Sequence, residues 1–323
     1  MARIALTVAL IALTTPARAD VAEAARDVIA PAYGRLAASA AALDAAAAAD
    51  CTPSALHAPY QAVWDDWARI GFLRIGPVET DGRALAMAFW PDVKGSGLRA
   101  QQALVDANSP AIGNPADFAR LSVALRGLAG LERLLYPSPL TGDAATLCTL
   151  TRATAADLAR MTRELAAEWP AHAALLTAPG NPTYLTEAEA RQAIFTQIVT
   201  GLDQVAEVRL GRPMGSFDTP RPDRAEALAA GRPLANVIGA LRGLHDLTRA
   251  LHPEAPQTEA AFARARALAH GLNDPLLAGV ATPSGRLKVE ILQQAVRAAK
   301  AAVETEVGGA LNLSAGFNAA DGD

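Results

Sequence analysis

Glu132 is the side chain in this sequence best placed to do chemistry. It belongs to Gly127-Leu-Ala-Gly-Leu-Glu132, within ALRGLAGLERLLYP (residues 124–137), a segment that recurs as ALRGLHDLTRALHP (residues 240–253). A helix through the first copy puts Ser122, Arg126, Gly130 and Arg133 on one side and Leu121, Leu125, Leu128 and Leu135 on the other. Glu132 falls on the leucine side, where an unpaired carboxylate is costly. It therefore requires a partner: an arginine such as Arg74, a hydroxyl, a backbone end or a metal. A salt-bridged helix carboxylate is the plain alternative to a ligand site. Gly127, Ala129 and Gly130 forgo side chains in mid-helix, where a glycine costs roughly 1 kcal/mol relative to alanine. Close helix packing or room for a ligand would account for that.

The second copy carries His245 where the first has Ala129, and Thr248 where the first has Glu132. Glu132 and His245 could share a metal only if both faced one cleft, so they form a weak composite site beside the packed-histidine alternative. Other catalytic signatures are missing. There is no His-Glu-x-x-His, and His57, His172, His245, His252 and His270 are not paired at i, i+4 spacing. No nucleophile elbow, P-loop, dinucleotide fingerprint or haem attachment motif occurs either. The loop chemistry is richer. Trp64, Trp67 and Trp90 fall in one short region, and Arg74, Glu79, Phe89, Trp90 and Tyr136 are expected to gather around one cleft. The competing reading, preferred for Trp67, is that the aromatics plug an alanine-rich core.

The elements that must hold these residues are helices. Alanine and leucine dominate, β-branched alternation is nearly lacking, and Pro/Gly clusters separate the helical segments. Helices are predicted near 20–49, 54–72, 97–107, 116–136, 143–171, 186–211, 232–251, 257–273 and 285–306. Thr186 with Glu189 three residues on reads as a capping box. Fainter echoes accompany the repeated segment in the same order: Arg74-Ile-Gly-Pro with Arg209-Leu-Gly-Arg-Pro, and Trp90-Pro-Asp with Arg221-Pro-Asp. The expectation is an all-α protein of two pseudo-equivalent helical bundles, residues 20–140 and 141–323, joined by irregular Pro/Gly-rich loops.

Residues 1–19 read as a secretory leader: Arg3, an apolar run from Ile4 to Leu13, and Ala17-Arg18-Ala19 as cleavage site. No cysteine follows the apolar run, so a lipoprotein is not expected, and the destination is the periplasm. No later run is long and apolar enough to span a bilayer, so no membrane span is expected in the mature chain. Net charge is −4 without a Lys/Arg block, which excludes nucleic acid as a partner. Two cysteines, Cys51 and Cys148, leave a structural disulfide or a reactive pair. The disulfide is the expectation in an oxidising compartment.

Gly127-Leu-Ala-Gly-Leu-Glu132-Arg-Leu-Leu-Tyr136 resembles the signature helix of the imelysin-like family, periplasmic and iron-regulated proteins also filed as peptidase family M75. The resemblance extends over Trp64 and Trp67 before Arg74-Ile-Gly-Pro, Arg209-Leu-Gly-Arg-Pro, Arg232-Pro-Leu-Ala-Asn and the terminal Gly316-Phe-Asn-Ala-Ala-Asp-Gly-Asp323, nearly the whole mature chain. It implies two helical bundles related by a pseudo-twofold with a cleft between them. The family's Gly-x-His-x-x-Glu is matched at Gly127 and Glu132, but Ala129 replaces the histidine that argues for metal, so iron or zinc does not transfer with the motif. The implied function is non-enzymatic binding of a periplasmic ligand or iron-uptake component at the cleft. The alternatives are a metal-dependent peptidase and a structural scaffold. Trp64, Arg74, Glu79, Trp90, Gly127, Glu132 and Tyr136 are the cleft candidates.

Overall fold

The alanine- and leucine-rich segments fold as the helices their spacing predicts. The structure is a computed structural model and describes residues 20–314. Residues 1–19, read above as a leader, and the whole terminal motif Gly316–Asp323 lie outside the described residues. Residues 21–49 form one helix with a wider π-helical stretch at Ala24–Ile29, and Asp20 caps it by accepting the Ala22 N–H at 2.8 Å. Helices Pro53–Ile70, Ser96–Asp106 and Gly127–Leu135 follow, then a long helix, Ala144–Thr177, that runs through Pro170. Residues 187–214 form a helix with a π-helical stretch at Gln204–Leu210. Pro233–Leu251, Pro256–Gly271 and residues 283–311 complete the set. Among the described residues there is no strand, and no helix is long and apolar enough to cross a membrane.

Cap chemistry sets several ends. The Thr186 hydroxyl accepts the Glu189 N–H at 3.2 Å, while the Glu189 carboxylate reaches back to the Leu185 N–H at 2.7 Å. The reciprocal half of the capping box thus lands one residue earlier than the motif prescribes. The predicted helix over 116–136 is corrected: it breaks into short turns at Pro110–Gly113, Pro115–Phe118 and Val123–Leu125, and regular helix restarts only at Gly127. The repeated segment is therefore one unbroken helix in its second copy and a broken one in its first.

Trp64 and Trp67 are both 2% exposed and sit with Tyr33, Trp169, Phe195 and Phe262 in one core that continues across residue 140. The long helix packs against residues 30–49 and Gly127–Leu135, which precede it in the chain. A satellite core gathers Val105, Ile112, Phe118, Leu125 and Leu150. Helices Pro53–Ile70 and Pro233–Leu251 cross at near contact. A Cβ on Gly239 would meet that of Ala68, and one on Gly243 would strike the Arg69 carbonyl.

Cys51 and Cys148 form a disulfide, with Cα atoms 5.4 Å apart. It ties the entry of Pro53–Ile70 to the first turns of the long helix across 97 residues of chain. Closing a loop of that length restricts the unfolded chain, and removal is expected to cost about 2–4 kcal/mol. Urea denaturation of the Cys51→Ser, Cys148→Ser protein should show that loss. Equal midpoints for it and the oxidised parent would contradict a structural role.

Candidate functional site

The break before Gly127 is built by its neighbours. Gly127 has φ +62°, a left-handed conformation that favours glycine, and a Cβ there would strike the carbonyls of Ala86 and Met87. Carbonyls that a continuous helix would use internally find side-chain donors instead. The buried Gln101 amide donates to Leu125 O at 3.0 Å and Gly130 O at 3.1 Å, and Arg133 donates to Ala124 O at 2.8 Å. Residues 121–126 thus leave the helix surface. Arg126 turns inward to a buried ion pair with Asp157 at 3.1 Å rather than lining up with Arg133.

Glu132, one and a half turns into the restarted helix, reaches across to the turn at residues 227–232. Its carboxylate accepts the Ala230 N–H at 3.0 Å, and the Gln61 amide donates to the carbonyl of the same residue at 2.9 Å. Burial pushes the Glu132 carboxyl up, with the Ala230 N–H and Arg133 acting in the opposite direction. Gln61 also donates to the Tyr136 hydroxyl at 2.8 Å and accepts from Arg232 at 2.9 Å. Arg232 in turn donates to Asn236 at 3.1 Å. Asn236 and Arg209 both donate to the buried Glu226 carboxylate, at 3.0 and 2.8 Å. This chain of polar contacts links Gly127–Leu135, Pro53–Ile70, Pro233–Leu251 and the Gln204–Leu210 stretch.

Beside it opens a cleft of about 500 Å³ between residues 90–93 and 132–138 on one side and residues 212–229 on the other. Trp90 forms one wall, with the Arg212 guanidinium 5.9 Å from its ring centroid. Arg133, Arg221 and Arg224 also line the cleft. Its carboxylates are already committed. Asp92 accepts the Ser96 and Gly97 N–H groups at 2.8 and 2.7 Å; burial raises it, but these bonds prevail and hold it below the usual carboxylate range. Asp223 pairs with Arg221 at 2.8 Å, and Glu132 holds Ala230. Arg212 and Arg224 have no ion-pair partner among the described residues, and the Arg212 Nε is buried without an acceptor. Such a wall is cationic, rigid on one side and furnished with a π-face.

Of the sequence candidates, Trp90 and Glu132 line this cleft, and Gly127 sits at the start of the helix that carries Glu132. Tyr136 lies behind it, stacked on His57 at 4.4 Å. Trp64 is a core residue. Arg74 is elsewhere: its guanidinium caps the end of Pro53–Ile70 through Gly71 O at 2.5 Å and Leu73 O at 2.9 Å. It lies 3.7 Å from Glu79, so the two pair with each other and Arg74 is not the partner of Glu132. His245 does not join Glu132 either. Its ring nitrogens meet Glu259 at 2.9 Å and Arg266 at 3.1 Å, and the ring stacks on Phe262. The four cleft arginines were not singled out by sequence reasoning, although Arg209-Leu-Gly-Arg212 and Arg221-Pro-Asp were noted as echoes of other segments.

An all-helical fold with a family glycine and glutamate at the head of one helix defines the class. The imelysin family model (peptidase M75) matches residues 29–303, and the chain belongs to that family. It is 25% identical over 289 residues to iron-regulated protein A of Synechococcus elongatus, covering 79% of this chain and 75% of that one. The crystal structure of an imelysin-like protein from Psychrobacter arcticum superposes with a TM-score of 0.78 at 19% identity, over 92% of this chain and 96% of the other. A metal at the signature does not fit the donors present here. Ala129 offers none, Glu132 is held by a backbone N–H, Asp92 and Asp223 are spent, and His245 is bound to Glu259 and Arg266.

A carboxyl raised by burial stabilises the fold fully below its ordinary value of 4.5, and that contribution is lost as pH rises through its folded value. Glu132→Gln retains an acceptor for Ala230 without the titration. The parent is therefore expected to lose stability relative to Glu132→Gln as pH rises above 4.5. Parallel urea midpoints over that range would contradict a raised carboxyl.

Proposed function

We propose that this protein is a periplasmic, non-enzymatic binding protein that takes an anionic ligand, or an anionic group of a partner, in the Trp90–arginine cleft and serves iron acquisition. The single observation that carries the reading is the charge imbalance of that cleft. Arg212 and Arg224 have no counter-ion among the described residues, while Glu132, Asp92 and Asp223 are engaged. A guanidinium beside an aromatic face recognises a planar carboxylate- or phosphate-bearing group by charge-assisted hydrogen bonds. The leader read in residues 1–19 supports export, as does the Cys51–Cys148 disulfide. The link to iron rests on family membership and on the Synechococcus relative, an iron-regulated protein by name.

The two walls of the cleft come from residues 90–138 and 212–229, which supports a site between the proposed halves. Trp90-Pro-Asp lies on one wall and Arg221-Pro-Asp on the other, so two echoed segments face each other. Arg74 and Arg209, from the other echoed pair, lie close enough to feel each other's charge. Both placements bring echoed segments near each other, which supports a duplicated chain, and the first of them is at the cleft.

Citrate, ferric citrate and inorganic phosphate are suitable probes for calorimetric titration, with glucose as the uncharged control. At least one anion is expected to bind with one site per chain and glucose not at all. Arg212→Ala combined with Arg224→Ala should weaken binding by about tenfold or more, since a hydrogen bond to a charged group is worth about 1.5–3 kcal/mol. Binding indifferent to both arginines would overturn the proposal. Zinc-dependent peptide hydrolysis that Glu132→Ala abolishes would replace it with the peptidase reading.

A further inference from the structure

The long helix Ala144–Thr177 borders a second concavity that shares no residue with the arginine cleft. It is a groove of about 510 Å³, within the roughly 300–1,000 Å³ range of small-ligand sites. Its bed is apolar. Ile112 and Phe118, 5% and 1% exposed, belong to the satellite core, and Pro115 lies between them in sequence. The facing helix contributes Ala153 and Ala156, whose small side chains leave the space open.

Arginines rim this bed. Arg160 is committed: with Arg126 it neutralises the buried Asp157, at 2.7 and 3.1 Å. Arg152 spends only its Nε, on the Ala47 carbonyl at 3.0 Å, and has no carboxylate partner among the described residues. Arg163 likewise forms no ion pair among them. The remaining acid is Asp44, and burial pushes its carboxyl up while Arg163 draws it down. The groove therefore combines a preformed apolar floor with two guanidinium groups lacking direct counter-ions. The Cys51–Cys148 bridge lies next to the groove, since Thr149 follows Cys148 and lines it, and the Arg152 bond to Ala47 ties the same helix to the helix that carries Asp44.

We infer that this groove binds a small amphiphilic anion, its carboxylate, sulfate or phosphate head at Arg152 and Arg163 and its aliphatic or aromatic tail on Ile112, Pro115 and Phe118. An apolar floor alone would accept a neutral hydrocarbon, and exposed arginines alone would accept any anion. Together they select a molecule that carries both parts.

Titration calorimetry with monomeric decanoate tests this. One saturable site per chain is expected, about tenfold or more tighter than for 1-decanol, with acetate failing to saturate. Arg152→Glu with Arg163→Glu, both at exposed positions, should weaken decanoate by about tenfold or more. Ala153→Trp should fill the groove and abolish binding while circular dichroism and the melting transition stay those of a folded helical protein. Trp90→Ala should leave decanoate binding unchanged. The inference fails if no saturable site is found, if Ala153→Trp binds normally, or if decanol binds as tightly. It also fails if Trp90→Ala removes binding, which would place decanoate in the arginine cleft, or if the protein cosediments with phosphatidylglycerol vesicles but ignores monomeric decanoate.

Discussion

The contact on which the site depends is the grip of Glu132 and Gln61 on the backbone of one residue, Ala230, at the two peptide units that flank it. Glu132 accepts its N–H and Gln61 donates to its carbonyl, so residues from Gly127–Leu135 and Pro53–Ile70 fix the turn that leads into Pro233–Leu251. Behind it the buried pair Arg209–Glu226 is completed by Asn236 and Arg232. Removing one partner of such a pair costs about 3–5 kcal/mol, because the remaining charge stays buried. The chain is long, shared among four elements and largely free of solvent, which makes it a positioning device. It sets the depth at which residues 221–229 face Trp90, and hence the width of the cleft.

Much of this fold is legible in the sequence because the helices depend on local facts. Alanine and leucine at helical spacing, a Thr186–Glu189 cap and Pro/Gly breaks were enough to locate every long helix. The failure over 116–136 has a nonlocal cause. Gly127 bends because the backbone at residues 86–87 lies against it, and the orphaned carbonyls are rescued by Gln101 and Arg133. Nothing in the spacing of 116–136 announces those neighbours. The disulfide was legible by counting, since two cysteines have one intramolecular pairing. The cleft arginines were not, because an arginine reveals nothing about whether a carboxylate stands opposite until the chain is folded. Arg74 illustrates the converse: a residue that looks like a binding group is absorbed by its own helix end and by Glu79.

The repeated segment carries a related lesson. Gly127 and Gly243 occupy matching places, and both accommodate a carbonyl from another element, Ala86 and Met87 in one case and Arg69 in the other. Gly243 does so inside a regular helix, whereas Gly127 does so at positive φ. The same requirement for no side chain is thus met on two different backbone paths. Glu132 and its counterpart Thr248 differ likewise: the first accepts the Ala230 N–H, and the second donates to the Leu244 carbonyl of its own helix. Matching positions in two copies of a helix need not face the same cleft.

Charge reconciles the two proposed anion sites with a formal net charge of −4. Net charge governs long-range approach, and here it disfavours an anion at distance. Local selectivity depends instead on which charges are already neutralised. In the cleft, three carboxylates are taken by a peptide N–H, a helix N-terminus and an arginine. In the groove, one carboxylate is shared by two arginines. Each arrangement leaves guanidinium groups without partners beside apolar or aromatic surface, so the attraction is short-ranged and screened little once a ligand has displaced water. Recognition of the proposed kind discriminates by fit at contact rather than by steering.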